Sequence, residues 1–248
     1  MDRVMVITGS GRGIGAATAK LAAARGFAVC VNYVAQAARA SAVVDEIRSA
    51  GGRAIAVRAD MADEDAVVAM LEAVDRELGP VTALVNNAGV TGRAGRHDSY
   101  DAAAIRRILD VNVLGTMICT REAARRMSTR NGGAGGTVVN VSSIAAVFGG
   151  ANQWIPYAAA KGAVNSLTIG FAKELAPEGI RVNAIMPGLI DTEIHEAAGV
   201  GDRLQKVIPT VPMGRIDTAE ECAEAILWLS SKEAAYMTGA VIPMAGGR

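Results

Sequence analysis

Aromatic residues are scarce in this chain, and it carries no excess of charge of either sign. Phe, Trp and Tyr make up 4% of the 248 residues, whereas apolar residues as a whole make up 51%. The core must therefore be built from Ala, Val, Ile and Leu, a mixture that suits parallel strands covered by helices. The 25 Lys and Arg residues equal the 25 Asp and Glu residues. This balance gives no electrostatic reason to expect a nucleic acid or an anionic membrane as partner.

Long apolar runs and paired cysteines are also missing. No uninterrupted apolar stretch reaches the roughly 20 residues of a membrane span. Because the first strand-like run, Val4–Thr8, begins almost at the first residue, we expect no signal peptide. Cys30, Cys119 and Cys222 are odd in number, widely spaced and set among apolar neighbours. We interpret them as buried thiols in a reducing compartment, without disulfides or metal-ligand spacing, and expect a cytoplasmic protein with no metal site.

Strand-like and helix-like segments alternate from end to end, without a composition break that would mark a second domain. Gly26 and Gly51 follow the first two helices as stop signals, and Thr218 precedes the last helix as a cap. The predicted helices lie near 13–25, 36–50, 63–78, 101–130, 156–176 and 218–231. The predicted strands are Val4–Thr8, Ala28–Asn32, Ala54–Ala59, Val81–Asn86, Thr137–Ser142, Arg181–Met186 and Ala240–Pro243.

This β-α-β rhythm predicts parallel strands with right-handed crossovers. We therefore expect a single α/β domain over residues 1–248: one doubly wound, Rossmann-type parallel sheet of about seven strands with helices on both faces. Such sheets bind ligands at the carboxyl ends of the strands, near the point where strand order reverses.

A glycine-rich segment, Thr8–Gly15, separates the first strand from the first helix. Glycines let the backbone turn sharply and approach a pyrophosphate, whose charge the helix N-terminus favours. The dinucleotide pattern G-x-G-x-x-G/A is met by Gly11, Gly13 and Ala16. The alternative is a glycine-rich turn without a ligand.

Tyr157 and Lys161 lie one helical turn apart, so that a phenol and an ammonium group share one helix face. A nearby positive charge favours phenolate, and we therefore expect the pKa of Tyr157 to fall toward neutrality. Taken alone, this spacing is also typical of a solvated helix face.

Four motifs in a fixed order resemble the short-chain dehydrogenase/reductase family over the whole chain. They are Thr8-Gly9 with Gly13 and Gly15, the run Asn86-Asn87-Ala88-Gly89, the pair Ser142-Ser143, and Tyr157 with Lys161. Within this family, the chain resembles the NADP-dependent carbonyl reductases and 3-oxoacyl-carrier-protein reductases of about 250 residues. The resemblance implies a nicotinamide-cofactor oxidoreductase that forms a homotetramer or homodimer.

The end of the second strand bears on the choice of cofactor. A free ribose 2′-hydroxyl is normally held there by Asp or Glu, but this chain has Val31-Asn32-Tyr33. Arg12 supplies a cation beside the loop, and Arg39 is a more distant candidate. We favour NADP(H). NAD(H) stays open because Arg12 also occurs in family members that use NAD, and Asn32 could be a polar strand end without a ligand.

The resemblance also assigns the cofactor contacts. Asp60 and Met61 would hold the adenine, although Asp60 could instead cap the following helix. Asn87 and Gly89 would line the adenine-ribose side, whereas Asn86 is structural. Residues after the sixth strand would meet the nicotinamide carboxamide, followed by a substrate lid at about 192–214. The full predicted cofactor set is Gly9, Ser10, Arg12, Gly13, Ile14, Gly15, Asn32, Tyr33, Asp60, Met61, Asn87, Gly89, Tyr157, Lys161, Pro187, Gly188, Ile190 and Thr192.

By the same resemblance, Tyr157 is the acid/base, Lys161 lowers its pKa, Ser143 binds the substrate oxygen and Asn112 holds a relay water. The separation of Ser143 from Tyr157 is fourteen residues (157 − 143), one more than is common in the family. Asn152–Pro156 either lines the substrate pocket or packs on the core or a subunit interface.

The predicted function is hydride transfer between NADP(H) and a small carbonyl or secondary-alcohol substrate. The alternatives are an NAD-dependent sugar or polyol dehydrogenase and a non-catalytic dinucleotide-binding protein. The arginines at 121, 125, 126 and 130 form either a basic patch for an acyl-carrier partner or a solvated helix face.

Overall fold

The computed structural model describes residues 3–190 and 208–248. Seven strands form one sheet in which all six neighbouring pairs are parallel. The strands are β1 (Arg3–Ile7), β2 (Phe27–Tyr33), β3 (Ala54–Arg58), β4 (Ala83–Asn86), β5 (Gly136–Val141), β6 (Ile180–Pro187) and β7 (Val241–Met244). Their order is β3-β2-β1-β4-β5-β6-β7, so the predicted fold class is confirmed. Each predicted strand is present, with its ends shifted by at most two residues.

Helices cover both faces of the sheet. They are α1 (Gly13–Ala24), α2 (Ala37–Ser49), α3 (Glu64–Glu77), α4 (Ala102–Leu109), α5 (Gly115–Met127), α6 (Ala145–Phe148), α7 (Ile155–Leu175) and α8 (Ala219–Leu229). One apolar cluster joins α3, α5 and α7 to one face, and a second joins α1, α2 and α8 to the other. Aliphatic residues dominate both clusters, as the scarcity of aromatics predicts.

The predicted helix over 101–130 is wrong in one respect, because a π-helical turn at Asp110–Leu114 separates α4 from α5. The side-chain amide of Asn112 donates to Ile108 O at 2.8 Å and to Val90 O at 2.9 Å. Helices often change pitch where a side chain forms hydrogen bonds with main-chain oxygens, as Asn112 does here. The turn brings Asn112 to the carboxyl ends of the strands.

All three cysteine side chains are buried, as expected. Burial raises the pKa of the Cys30 and Cys119 thiols to about 12. Within the described ranges, no helix combines the length and the apolar character needed to cross a membrane.

Strand order reverses between β1 and β4, which lie side by side although α1 to α3 separate them in sequence. The crevice of a doubly wound sheet opens at such a point, beyond the carboxyl ends of the strands. The glycine segment follows β1 and the Asn86–Gly89 run follows β4, so the fold brings the two together.

Candidate active site

Hydrogen bonds lock the glycine loop to the segment after β4. Thr8 Oγ1 accepts from the backbone N–H groups of Asn87 and Ala88 at 3.0 and 2.9 Å. The Asn87 side-chain amide donates in return to the carbonyl oxygens of Thr8 and Gly9 at 2.9 and 3.0 Å. A Cβ on Gly15 would lie 2.6 Å from Asn87 Nδ2. The loop and the β4 segment therefore form one rigid unit.

The same loop leaves the first turn of α1 open to an anion. Gly9 and Gly13 adopt positive φ angles of 63° and 53°, which glycine tolerates best. Arg12, at the helix N-cap, makes no side-chain capping bond, and the first turn carries no acidic residue. Uncapped N–H groups at a helix start bind phosphate well. These features fit the pyrophosphate of a dinucleotide.

Asn32 and Ser10 lie behind the loop, fully buried. Asn32 Oδ1 accepts from Gly9 N at 2.9 Å, and its Nδ2 donates to Ala59 O at 3.0 Å. Ser10 Oγ donates to Ile7 O at 2.7 Å. The side chains of Asn32 and Ser10, both predicted to contact the cofactor, thus hold the backbone of the loop in place.

A cavity of about 520 Å³ opens in front of the loop, within the size range of small-molecule sites. It brings together three groups of predicted residues that are far apart in sequence. The described residues lining it include three cationic side chains, those of Arg12, Lys161 and Arg248, and no Asp or Glu side chain. The predicted residues in its wall are Gly9, Arg12, Gly13, Ile14, Asn87, Gly89, Ser143, Tyr157, Lys161, Pro187, Gly188 and Ile190.

Tyr157 lies in the first turn of α7, where Pro156 helps to start the helix. Its hydroxyl is hydrogen-bonded to the side chain of Ser143. Ser142 faces away, because its Oγ donates to Lys161 O at 3.0 Å in a buried position. Of the two adjacent serines, only Ser143 is therefore placed to share a ligand with Tyr157.

The loop before α7 accommodates the extra residue between Ser143 and Tyr157. Gly149, Gly150 and Asn152 all adopt positive φ angles, of 75°, 63° and 59°. Gln153 and Trp154 line the cavity, so this part of the Asn152–Pro156 segment belongs to the pocket wall.

Lys161 is 3% exposed, and its Nζ donates to Val141 O at 2.7 Å. Nζ lies 5.5 Å from the centre of the Tyr157 ring. Burial lowers the pKa of Lys161 to about 8. The two side chains thus share the helix face predicted from their spacing.

The predicted fall in the pKa of Tyr157 is wrong. Burial raises this pKa to about 12, and the hydrogen bond from Ser143 only partly opposes the rise. The attraction of the Lys161 ammonium group, which donates to Val141 O, is too weak to reverse this rise. At neutral pH the phenol is protonated.

Asn112 presents a buried oxygen beside Lys161. Its Oδ1 accepts no hydrogen bond from the described part of the protein. A Cβ placed on Gly89 would lie 2.8 Å from this oxygen and 3.5 Å from Lys161 Nζ. A buried acceptor without a partner next to an ammonium group suits the predicted relay water.

Pro187, Gly188 and Ile190 line the cavity after β6. Gly188 N donates to Met244 O at 2.8 Å, and Ile190 forms a β-bridge with Asp217. Thr192 and the lid as far as residue 207 lie outside the described residues, as does His195. Arg215, beside the lid, is paired with Glu221.

Tyr33, Asp60 and Met61 lie at the ends of β2 and β3, outside the cavity wall. Partial burial alone would raise the pKa of Asp60, but Arg107, at 2.9 Å, and the Ala62 amide lower it below its usual value. Asp60 does not cap α3, because Asp63 does so by accepting from Ala66 N at 3.1 Å.

The arginines of α5 and of the turn after it do not form a free basic patch. Arg121 pairs with Glu64 at 2.7 Å, and Arg126 pairs with Asp75 at 2.6 Å. Arg125 contacts Glu122 and Arg130 contacts Glu178. The structure thus favours the solvated, neutralised face over an acidic protein partner.

Phe148 on α6 and Arg248 are among the cavity residues that escaped the sequence analysis. The guanidinium carbon of Arg248 lies 5.4 Å from the centre of the Phe148 ring. No motif marks either residue. Their proximity depends on how the segment after β7 folds back over the cavity.

Comparison with known proteins places this architecture among oxidoreductases. Residues 9–248 match a family model described as enoyl-(acyl carrier protein) reductase. The chain is 45% identical over 245 residues to YgfF, an uncharacterised oxidoreductase of Escherichia coli K12, with 99% of each protein covered. It is 41% identical to a cis-4-hydroxycyclohexanecarboxylate dehydrogenase of Sinomonas cyclohexanicum, covering 99% of this chain and 96% of the relative.

Two solved structures match with a TM-score of 0.91 over 99% of this chain. One is a mutant of a Serratia marcescens short-chain dehydrogenase/reductase, 34% identical and 97% covered. The other is a blue fluorescent protein from a metagenomic library in complex with NADPH, 31% identical and 97% covered.

Proposed function

The chain belongs to the short-chain dehydrogenase/reductase family of oxidoreductases, and from this premise we propose that it transfers a hydride between NADP(H) and a carbonyl or secondary-alcohol substrate. One observation carries the proposal: Tyr157, Ser143 and Lys161 converge on a cavity that the glycine loop also lines. A non-catalytic dinucleotide-binding protein would have no need of this set.

The bound nicotinamide would supply or accept the hydride. The Ser143 hydroxyl donates a hydrogen bond to the substrate oxygen and stabilises the charge that develops there. Tyr157 gives its phenolic proton to that oxygen during reduction and takes it back during oxidation. Because burial keeps this phenol protonated at neutral pH, the resting side chain is the acid that carbonyl reduction requires.

Lys161 acts on the phenolate left after proton transfer. Its ammonium group, 5.5 Å from the ring centre, stabilises the negative charge through the low-dielectric interior. Asn112 Oδ1, the buried oxygen beside Lys161, holds the water that returns a proton to the site.

NADP(H) is the proposed cofactor. No carboxylate stands at the end of β2 to meet a free ribose 2′-hydroxyl, and Arg12 lines the cavity beside the glycine loop. The similarity to a protein solved with NADPH supports the same choice. Asp60 and Tyr33 would border the adenosine, and Thr192 would contact the carboxamide.

The substrate is a small ketone or secondary alcohol with an apolar skeleton. Ile144, Phe148 and Trp154 provide apolar surface in the cavity wall. The similarity to a dehydrogenase of an alicyclic alcohol favours an alicyclic substrate over a sugar or polyol. We further propose that the protein is a cytoplasmic homotetramer or homodimer of one-domain subunits, as the family resemblance implies.

The decisive test is Tyr157→Phe, assayed by the absorbance of reduced cofactor with panels of ketones, alcohols, sugars and polyols, in both directions and with both cofactors. We expect the activity of the variant to be about 10²–10⁴-fold lower than that of the wild type, because a general acid usually contributes a factor of this size. Binding of NADPH should persist, because the hydroxyl alone is removed.

Tyr236→Phe is the matched control, because this tyrosine is fully exposed and its variant should keep full activity. Tyr157→Phe activity within a few-fold of wild type would contradict the assignment. Wild-type protein that binds NADPH but turns over nothing in the panel would favour the non-catalytic alternative.

A further inference from the structure

We propose that Arg248 forms, with Phe148, an anion-binding subsite that selects substrates carrying a carboxylate. The proposal rests on the proposed function and names the chemical class of its substrate. It starts from the charges of the cavity, whose described lining includes Arg12, Lys161 and Arg248 but no acidic residue. Arg12 belongs to the glycine loop and Lys161 to the proton-transfer group, so Arg248 is the cation that the mechanism does not use.

The contact with Phe148 assigns Arg248 to the substrate side of the cavity. Its guanidinium carbon is 5.4 Å from the ring centre of Phe148, which ends the helix that follows Ser143. Ser143 binds the reacting oxygen in the proposed mechanism. An anion on Arg248 would therefore belong to the substrate and not to the phosphates held at the glycine loop.

The segment after β7 is built to hold Arg248 there. Gly246 and Gly247 adopt positive φ angles of 62° and 93°, which reverse the chain direction and favour glycine. Met213 N donates to Gly246 O at 3.1 Å, and Arg248 N donates to Ala245 O at 3.2 Å. A Cβ on Gly247 would lie 3.1 Å from the Pro212 ring. The turn thus packs closely and positions the backbone of Arg248.

The guanidinium group is available for a ligand. No described carboxylate forms an ion pair with Arg248, whereas Arg96, Arg121 and Arg215 all have such partners. A guanidinium stacked over an aromatic ring keeps its N–H groups directed outward in its plane, where they can bind a carboxylate through two parallel bonds. Phe148 is 53% exposed, so the same ring offers an apolar surface to the substrate skeleton.

The test compares matched substrates that differ only in charge. We would measure NADPH-dependent reduction of 4-oxocyclohexanecarboxylate, its methyl ester and cyclohexanone by wild type, Arg248→Gln and Arg248→Lys. We expect wild type to prefer the acid over the ester by about 10–100-fold in kcat/KM, the range of a charge-assisted hydrogen bond. Arg248→Gln should reduce this preference to about threefold or less while leaving cyclohexanone turnover and NADPH affinity unchanged. Arg248→Lys should retain part of the preference, because it keeps the charge but not the planar fork.

Arg76→Gln is the control, because Arg76 is exposed, pairs with Glu77 and lies outside the cavity. An unchanged acid-to-ester ratio in Arg248→Gln would overturn the proposal. Loss of NADPH affinity in Arg248→Gln would contradict it by assigning Arg248 to cofactor binding. An equal fall in kcat/KM for all three substrates would also contradict it, because it would limit the role of Arg248 to packing on Phe148.

A binding measurement separates this inference from the proposed reaction. Cyclohexanecarboxylate and cyclohexanecarboxamide have no reacting carbonyl on the ring, and their affinities for the NADPH-loaded protein can be compared by calorimetry without turnover. Tighter binding of the acid that Arg248→Gln abolishes supports the subsite even if no ketone is reduced. Equal binding of acid and amide to the wild-type protein would rule it out.

Discussion

Lys161 is a buried cation with one strong protein contact, and its burial leaves a measurable trace in the pH dependence of stability. The pKa of this ammonium is about 8 in the folded protein and 10.5 when unperturbed. Between these values the Lys161 site binds more protons in the unfolded chain than in the folded one, so the contribution of Lys161 to stability rises with pH across the window. Below pH 8, burial of the charged Lys161 lowers the unfolding free energy by about 3 kcal/mol, since each pKa unit corresponds to about 1.36 kcal/mol.

We therefore expect Lys161→Met to remove this pH dependence. The unfolding free energy of the variant relative to wild type should fall by about 3 kcal/mol between pH 7.5 and 10.5. Urea denaturation at four pH values in this range measures it. Lys173→Met, at an exposed site on the same helix, is the control and should give a profile parallel to wild type. A parallel profile for Lys161→Met would contradict the burial of a charged Lys161.

Residue spacing predicted that Tyr157 and Lys161 share a helix face, but not the protonation state of the phenol. The spacing is a local property of α7, whereas the pKa depends on how deeply the helix packs and on where the ammonium turns. Val141 O, twenty residues earlier in sequence, takes the hydrogen bond of Lys161. Only the folded sheet brings that oxygen to α7.

At the scale of single elements, capping residues in the sequence predict where helices begin. Thr218 caps α8 as predicted, and its capping box is complete: Glu221 N donates to Thr218 Oγ1 at 3.1 Å, and Thr218 N donates to Glu221 Oε2 at 3.2 Å. The π-helical turn at Asp110–Leu114 had no such signal, because Asn112 bonds to Val90 O across the fold. The local sequence therefore predicts one continuous helix here.

At this scale we expect Thr218→Ala to lower the unfolding free energy by about 1 kcal/mol, the usual effect of losing an N-cap. Thr218→Ser keeps the capping oxygen and should stay close to wild type. Chemical denaturation of the three proteins gives the comparison. Equal losses in the Ala and Ser variants would show that the capping bond does not contribute, and that the Thr218 methyl group does.

Across the whole molecule, the order of the strands determines which residues meet. Gly9, Asn87, Ser143 and Gly188 follow four different strands, yet all line one cavity because parallel strands end at the same edge of the sheet. That convergence could be predicted from the β-α-β rhythm alone. Arg248 could not, because its place depends on the Gly246–Gly247 turn and on the contact of Gly246 with Met213. The position of Asn32 near the end of β2 was predicted, but the hydrogen bond of its side chain to Gly9 N was not.

Because one continuous sheet joins every described strand, we expect the protein to unfold in a single transition that shifts as a unit when cofactor binds. NADPH at about 100 times its Kd should raise the unfolding free energy by about 2.7 kcal/mol, and NADH at the same concentration should raise it less. Arg12→Ala should reduce the difference in stabilisation between NADPH and NADH. Arg76→Gln, which lies outside the cavity, should leave this difference unchanged. Denaturation monitored by circular dichroism and by Trp fluorescence, with and without each cofactor, provides the measurement. Two separable transitions would contradict the one-domain proposal, and greater stabilisation by NADH would reverse the proposed cofactor preference.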